Sequence, residues 1–367
     1  MEKIRIGLIG AGMISQKHLQ MYREIPEAQV VAVCSRTRSS AERCAQEWGI
    51  ENVHTDIQQM LAQDDIDAVD ICLHTILHAP VAIAALNAGK HVYCEKPLAM
   101  SYVDGAAMLE AARRNDRTLH IQLGFLYRPN VRAAKRLVDG GALGDIYHAR
   151  SMGFRRRNRP YVDGYGSADF VERKYSGGGA LYDFGVYHIS QLLYLMGMPR
   201  PLSMSGKLHQ AIPMDESRRI SGHYDVEELG VGLVRFEKGM TMDLFESWAV
   251  HLDSMDPSIL LGSRGGIKLE PFSFHTTFCD LELDCTGDLE KMDFRWKNTL
   301  PYEYAYASSE MHWIAALLQK VPLLPTAELA LQTLLIQEGI TLSNRLGREV
   351  SAEETIESSI LSDLRLS

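Results

Sequence analysis

Cysteine is scarce, at six in 367 residues, far below the density of a scaffold held together by disulfides. No C-x-x-C pair occurs, and Cys279 with Cys285 has no His or Cys cluster beside it, so no structural metal is expected. Basic residues are also in deficit. Lys and Arg number 38 against 47 Asp and Glu, a net charge of −9, which argues against nucleic acid or an anionic membrane surface as the main partner. Long apolar runs are missing too: no stretch approaches the ~18 residues of a membrane span. The N-terminus shows neither the apolar core nor the small-residue cleavage site of a signal peptide. A reducing cytoplasm is the simplest expectation.

What is present is enough chain for about two domains. The first third alternates short β-branched apolar runs with helical patterns, the signature of a parallel sheet covered by helices. Strands are expected at 4–9, 29–34, 68–73, 91–94 and 119–123, and helices at 16–25, 39–48, 56–63, 79–88 and 101–115. The last helix opens with Ser101-Tyr-Val-Asp104, a capping box in which each side chain can satisfy an N–H of the other's turn.

After about Gly124 the pattern changes. A helix at 131–139 leads through Gly140-Gly141 to a strand at 146–154, then to an arginine-rich loop that runs to Gly179. A helix at 181–196 is stopped by Gly197 and Pro199, and alternating strands fill 226–270, with turns at Lys238-Gly239 and Gly265-Gly266. A final helix, capped by Thr326, reaches Leu346 before Gly347. The expectation is a doubly wound α/β domain at 1–124 followed by an α+β domain at 125–367 on an open, mostly antiparallel sheet.

Gly10-Ala-Gly12-Met13-Ile14-Ser15 follows the first strand and opens a helix. Gly10 permits the tight turn, Gly12 lets the backbone approach a pyrophosphate, and the helix start at Met13 and Ile14 offers N–H groups to that anion. Ser15 stands where a third glycine would allow close helix–strand packing, so slightly looser packing is expected there. At the end of the second strand lie Ser35-Arg36-Thr37-Arg38. A carboxylate for the adenosine ribose is missing, which leans toward NADP, while Arg36 stacked on adenine with Ser35 on the ribose would suit NAD equally.

A buried strand delivers Glu95-Lys96-Pro97 at its C-terminal end. Ligands of open α/β sheets sit beyond those ends, so Lys96 can polarise an oxygen or steady an alkoxide near the nicotinamide. Considered alone, the tripeptide is an ordinary solvated strand end. Downstream, Gly177-Gly-Gly179 precedes Asp183, Tyr187 and His188. On one helix Asp183 and Tyr187 share a face, and His188 is turned about 100° from Tyr187. A carboxylate and a phenol so placed can hold a polyhydroxylated ligand, with Tyr187 or His188 as acid/base; the bland alternative is a helix dipole partner and packing residues.

Together, the Gly10–Gly12 turn, Ala88-Gly89-Lys90-His91-Val92 running into Glu95-Lys96-Pro97, Gly144-Asp145-Ile146, the glycine run into Asp183, and Ile259-Leu-Leu-Gly262-Ser-Arg-Gly265 resemble the glucose-fructose oxidoreductase, inositol dehydrogenase and MocA family. The resemblance spans nearly the whole chain. It implies a Rossmann domain, an open-faced sheet domain that commonly forms oligomer interfaces, and NAD(P)-dependent oxidoreduction of sugars, inositols or glycosides. By position, Lys96 matches the family's active-site lysine and Asp183 its active-site aspartate. Many members carry a histidine four residues after that aspartate; this chain has Tyr187 there, as in the glucose-fructose oxidoreductase and dihydrodiol dehydrogenase branches, with His188 one place on. Leu73-His74 replaces the family's Thr-Pro after the third Rossmann strand, and His78 matches its following histidine.

Between strand 146–154 and the glycine run, Arg155-Arg156-Arg157-Asn158-Arg159 lies close to Phe154, Tyr161, Tyr165 and Phe170. Such a loop, with Arg156 as a candidate contact, can meet a bulky or anionic substrate; equally it can be a solvated basic surface. The aromatics favour a glycoside over a free polyol, with oxidation at glucoside C3 a family outcome. Keto-sugar or dihydrodiol reduction by the same residues, and a non-catalytic dinucleotide sensor, are the alternatives.

Overall fold

The computed structural model describes residues 3–362, which group into two compact units. The first takes the chain up to Gln122, the segment Pro301–Glu328 and the chain from Leu361; the second takes Leu123–Leu300 and Leu329–Ile360.

In the first unit six parallel strands, β1 (Ile4–Ile9), β2 (Ala28–Cys34), β3 (Asn52–His54), β4 (Ala68–Ile71), β5 (His91–Cys94) and β6 (Leu119–Ile121), lie in the order β3-β2-β1-β4-β5-β6. Helices α1 (Met13–Arg23), α2 (Arg38–Trp48), α3 (Ile57–Leu61), α4 (His78–Asn87) and α5 (Tyr102–Arg114) connect them. The order reverses between β1 and β4, the point where such sheets take their ligand. Ile9 pairs with Cys34 and Ile71, and Ile71 with Cys94. The loops carrying Gly10, Leu73 and Glu95 therefore leave the sheet at one level.

Three local expectations change. β3 has only three residues, too few for a period to show. Ser101 accepts the Asp104 N–H at 3.2 Å, but the Asp104 carboxylate receives the hydroxyls of Ser101 and Ser362 and the Ser362 N–H, so half of the capping box forms. Thr326 starts its helix and turns its hydroxyl to the Ile121 N–H at 2.9 Å. The returning segment adds the helix Ser309–Leu317, whose fully buried Trp313 packs 5.2 Å from Tyr93 in a cluster with Ile6 and Tyr22. Burying an indole contributes roughly 4–6 kcal/mol, which explains why the segment joins this unit.

The second unit is a nine-stranded mixed sheet of β7 (Ile146–Phe154), β8 (Pro201–His209), β9 (Leu229–Phe236), β10 (Thr241–Ser247), β11 (Ile259–Gly262), β12 (Gly265–Lys268), β13 (Ser273–Phe278), β14 (Leu281–Thr286) and β15 (Val350–Ser351). The order is β14-β13-β12-β11-β7-β10-β9-β8-β15, antiparallel throughout except for β7 with β10. The hairpin at Lys238-Gly239 forms as expected. Gly265-Gly266 instead lies inside β12, and the turn falls at Ser263-Arg264. The single helix expected at 181–196 is two, Ala180–Asp183 and Gly185–Leu195, meeting at Phe184. Among the described residues no helix is long and apolar enough to cross a membrane.

Candidate functional site

In the first unit the turn after β1 is shaped for an anion. Gly10 has φ 108°, and a Cβ there would stand 2.3 Å from the Cys72 carbonyl oxygen, so only glycine fits. Gly12 is the N-cap of α1, has no side-chain cap, and faces open space where a Cβ would meet nothing within 4 Å. The first N–H groups of α1, at Met13 and Ile14, are left for a ligand, which is what a pyrophosphate requires. Met13 is exposed and Ile14 half-buried. Ser15 is fully buried and donates its hydroxyl to the Gly12 carbonyl at 2.6 Å.

At the end of β2, Ser35 is half-buried, and Arg36 is exposed without an acidic partner among the described residues. Arg38 pairs with Glu42 at 2.8 Å. An acid the sequence reading missed, Asp56, comes near: burial first, then its charge, pushes the Cys34 thiol up to about 11. Its carboxylate is occupied in capping α3 through the N–H groups of Gln58 and Gln59.

Beyond β4, Leu73 packs over the Gly10 turn and His74 is exposed. His78 is buried, with Nδ1 2.7 Å from the Pro97 carbonyl and Nε2 3.0 Å from that of Leu73. It thus braces the loop beside Lys96 from within. The Lys96-Pro97 peptide is cis. Glu95 is buried; its Oε2 accepts the Lys96 N–H at 3.0 Å and its Oε1 lies 3.1 Å from His18 Nε2.

His18, Asp70 and Cys72 come close enough to be weighed as metal ligands. His18 Nδ1 and Asp70 Oδ2 are 2.8 Å apart, a hydrogen-bond separation, whereas two donors on one zinc ion stand roughly 3.4 Å apart. Burial, then the charge of Asp70, pushes the Cys72 thiol well up, so it keeps its proton. The trio is a hydrogen-bonded cluster.

In the second unit the glycine run seats a helix. A Cβ on Gly179 would stand 1.9 Å from the Glu227 carbonyl oxygen. The buried Glu227 carboxylate accepts the N–H groups of Gly179 at 2.7 Å and Leu181 at 3.2 Å, and burial pushes its pKa up despite Arg173. That helix ends on Asp183, whose Oδ2 accepts the indole N–H of fully buried Trp248 at 3.2 Å. Tyr187 stacks on Phe125 at 4.7 Å.

His188 points to the sheet. Its Nδ1 donates to Glu246 Oε2 at 2.8 Å, and Glu246, fully buried, also accepts the Ser151 hydroxyl at 2.6 Å. A Cβ on Gly153 would come within 2.2 Å of the imidazole, so this pairing needs glycine in β7. His188 edges Phe125 and Phe184 and lines a cavity of about 360 Å³ with Arg128, Gln191 and Asp256. Trp248, Glu227 and Glu246 carry no motif and escape a sequence reading.

The basic loop divides. Arg159, expected on a solvated or substrate-facing loop, is fully buried, held by Asp163 at 2.9 Å and Glu228 at 2.8 Å. Arg155 lies 4.3 Å above the Phe184 ring and donates to the Tyr165 hydroxyl. Arg156 is exposed.

Comparison with known proteins gives two family matches: the oxidoreductase family with NAD-binding Rossmann fold over residues 4–123, and the Gfo/Idh/MocA C-terminal domain over residues 131–268. The chain is 29% identical to the D-glucoside 3-dehydrogenase of Escherichia coli (strain K12), covering 74% of this chain and 79% of that protein. It is 25% identical to the D-apiose dehydrogenase of Paraburkholderia graminis over 95% of this chain and 90% of the relative. Among solved structures, levoglucosan dehydrogenase in complex with NADH aligns with a TM-score of 0.81 at 22% identity, covering 96% of this chain and 99% of that one, a likeness of fold.

Proposed function

The chain belongs to the Gfo/Idh/MocA family of NAD(P)-dependent oxidoreductases, and we propose that it dehydrogenates a sugar or glycoside hydroxyl, with C3 of a glucoside the preferred position. The carrying observation is that one chain pairs an open pyrophosphate turn at Gly12 with the family's lysine and aspartate at Lys96 and Asp183. The E. coli relative, a D-glucoside 3-dehydrogenase, supports the substrate class and position.

A bound nicotinamide would supply the acceptor for the hydride that leaves the carbinol carbon. Gly10, Gly12, Met13 and Ile14 would hold the pyrophosphate, Leu73, His74 and His78 shape the loop beside it, and Ser35 with Arg36 would take the adenosine ribose. Arg36, exposed and unpaired by an acid, admits a 2′-phosphate, so the site accepts NADP as well as NAD. Lys96 steadies the oxygen as the alkoxide develops, Asp183 orients the sugar through its hydroxyls, and Tyr187, acting as its phenolate, takes the hydroxyl proton and becomes the phenol, leaving a ketone. Arg156 and the aromatics near it contact the aglycone. The reverse reaction, keto-sugar reduction, uses the same groups. A second reading gives the proton to His188. It is favoured by Glu246, which accepts the hydrogen bond from Nδ1–H, keeps the proton on that nitrogen and leaves Nε2 as the basic one.

For assembly, the end of β13 and the start of the edge strand β14 expose Phe278 and Leu281, a surface suited to self-association through the sheet. Cys34, Cys44, Cys72 and Cys94 are buried free thiols, which suits a reducing compartment such as the cytoplasm.

The test is the reduced-nicotinamide absorbance band when the protein meets a panel of glycosides and inositols with NAD or NADP. Lys96→Met is expected to abolish turnover and keep NADH binding, and near-normal activity in it sinks the mechanism. Tyr187→Phe should cost far more turnover than His188→Gln, with the reverse order selecting the second reading. No absorbance change with any substrate selects a sensor.

A further inference from the structure

Beneath the loop that carries Lys96 runs a chain of buried ionisable groups that the proposed reaction does not use. His18, on α1, has Nδ1 2.8 Å from Asp70 Oδ2 on β4 and Nε2 3.1 Å from Glu95 Oε1 just past β5. Tyr22, one turn along α1, donates to the same Asp70 oxygen at 2.9 Å, and Cys72 Sγ lies 3.4 Å from His18 Nδ1. Glu310, from the helix Ser309–Leu317, is a further buried carboxylate whose field reaches Tyr22. A core that needed only packing would hold aliphatic side chains here, because each buried ion costs several kcal/mol in lost hydration.

Carboxylates only accept, so a ring between two of them carries a proton on each nitrogen. Burial opposes that charge, but Asp70 outweighs it and His18 stays well above its ordinary range. Glu95 shows the complement: burial pushes it up, yet the bond from His18 holds it below the usual carboxylate value. The far oxygen of Glu95 is the one that accepts the Lys96 main-chain N–H at 3.0 Å. On the other flank, His78 holds the Pro97 carbonyl at 2.7 Å.

We propose that His18 is a positioning residue for Lys96: by locking Glu95 against the Lys96 main chain, it fixes the point from which the ammonium reaches. A lysine stem is flexible, so the reach of its charge is only as definite as its Cα. A misplacement of about 1 Å can lower a rate about 10²-fold. This inference rests on Lys96 acting as the active-site lysine.

The experiment uses the full chain with His18→Leu and, in case that substitution prevents folding, His18→Gln, whose amide still meets one carboxylate. Three quantities are read: kcat on the best glycoside, the Kd for NADH, and the Lys96 amide resonance in protein labelled with ¹⁵N-lysine, assigned by its loss in Lys96→Met. The expected result is a fall in kcat of about 10- to 100-fold, an NADH Kd within about twofold of the native value, and a displaced Lys96 amide. Glu95→Gln, which keeps the acceptor for the Lys96 N–H, should retain more turnover than Glu95→Ala. Native kcat in a folded His18 variant, an unmoved amide, or a Kd that rises in step with the loss of kcat overturns the proposal. A native protein that oxidises no sugar while the His18 variants still move the amide refutes the functional reading and leaves the clamp standing.

Discussion

Replacing Arg159 with methionine separates a loop built for substrate from one built for the fold. The guanidinium is fully buried, bonded to Asp163 and Glu228 and to the carbonyls of Ile212 at 2.9 Å and Pro213 at 3.2 Å. Methionine keeps the apolar stem but leaves two nearly buried carboxylates without a cation. Removing one partner of a buried ion pair costs about 3–5 kcal/mol. At roughly 2–4 °C per kcal/mol for a domain of this size, melting of the second unit should fall by about 6–20 °C.

The pH dependence has a definite sign. Burial pushes Asp163 up, but its bonds to Arg159 outweigh this and hold it below the ordinary carboxylate range. In the native chain that stability is full above the unfolded carboxylate value and is lost as the pH falls through the depressed folded value. In the variant the guanidinium is gone, and burial of Asp163 is opposed only by the field of Arg157 and by the main-chain N–H of residue 159, so the penalty grows as that carboxylate is forced to ionise. The gap between native and variant melting temperatures, followed by circular dichroism, is therefore wider at pH 8 than at pH 5. A melting temperature within about 2 °C of native at both pH values, with a raised KM for the glycoside, would refute this account and return Arg159 to the substrate.

Two further outcomes follow from single positions. Gly153→Ala drives a methyl group into the His188–Glu246 pair and should cost about 1–3 kcal/mol as overpacking, seen as a lower melting temperature; unchanged melting would mean that His188 is not held by Glu246. Arg36→Ala should raise the Kd for NADPH about tenfold, the loss of one charge-assisted contact, and leave NADH nearly unaffected in a fluorescence titration. Equal changes for both would place Arg36 on the adenine.

Most of the first unit was legible because buried parallel strands and their helices alternate in plain periods, and Gly10, Gly12, Glu95 and Lys96 stand at strand ends where such sheets bind ligands. β3 escaped because three residues show no period. The helix Ser309–Leu317 escaped because nothing in Trp313 or its neighbours says which sheet they will cover. In the second unit β8, β13, β14 and β15 went unread, and their half-exposed or fully exposed faces explain why: without a buried stripe the alternation is weak. Asp183 could be found from its glycine run, whereas Trp248, Glu227 and Glu246 reach their partners through tertiary pairing alone. Arg159 misled because its neighbours in sequence are surface arginines and its carboxylate Glu228 lies 69 residues away.

Three of the groups proposed for the chemistry, Lys96, Asp183 and the alternative base His188, share one construction. Lys96 rests on Glu95, the helix that ends on Asp183 is seated on Glu227, and His188 is held by Glu246, each support being a buried carboxylate that accepts an N–H. A carboxylate can take two or three such bonds at once, so a single buried acid fixes main chain and side chain together, and N–H donors repay part of the hydration it loses. This alters the meaning of the acidic balance. Among the described residues seven Asp and Glu are buried against three Lys and Arg and the doubly protonated His18, so the interior carries a net excess of three negative charges. The surface is correspondingly less acidic than the whole-chain sum of −9 suggests.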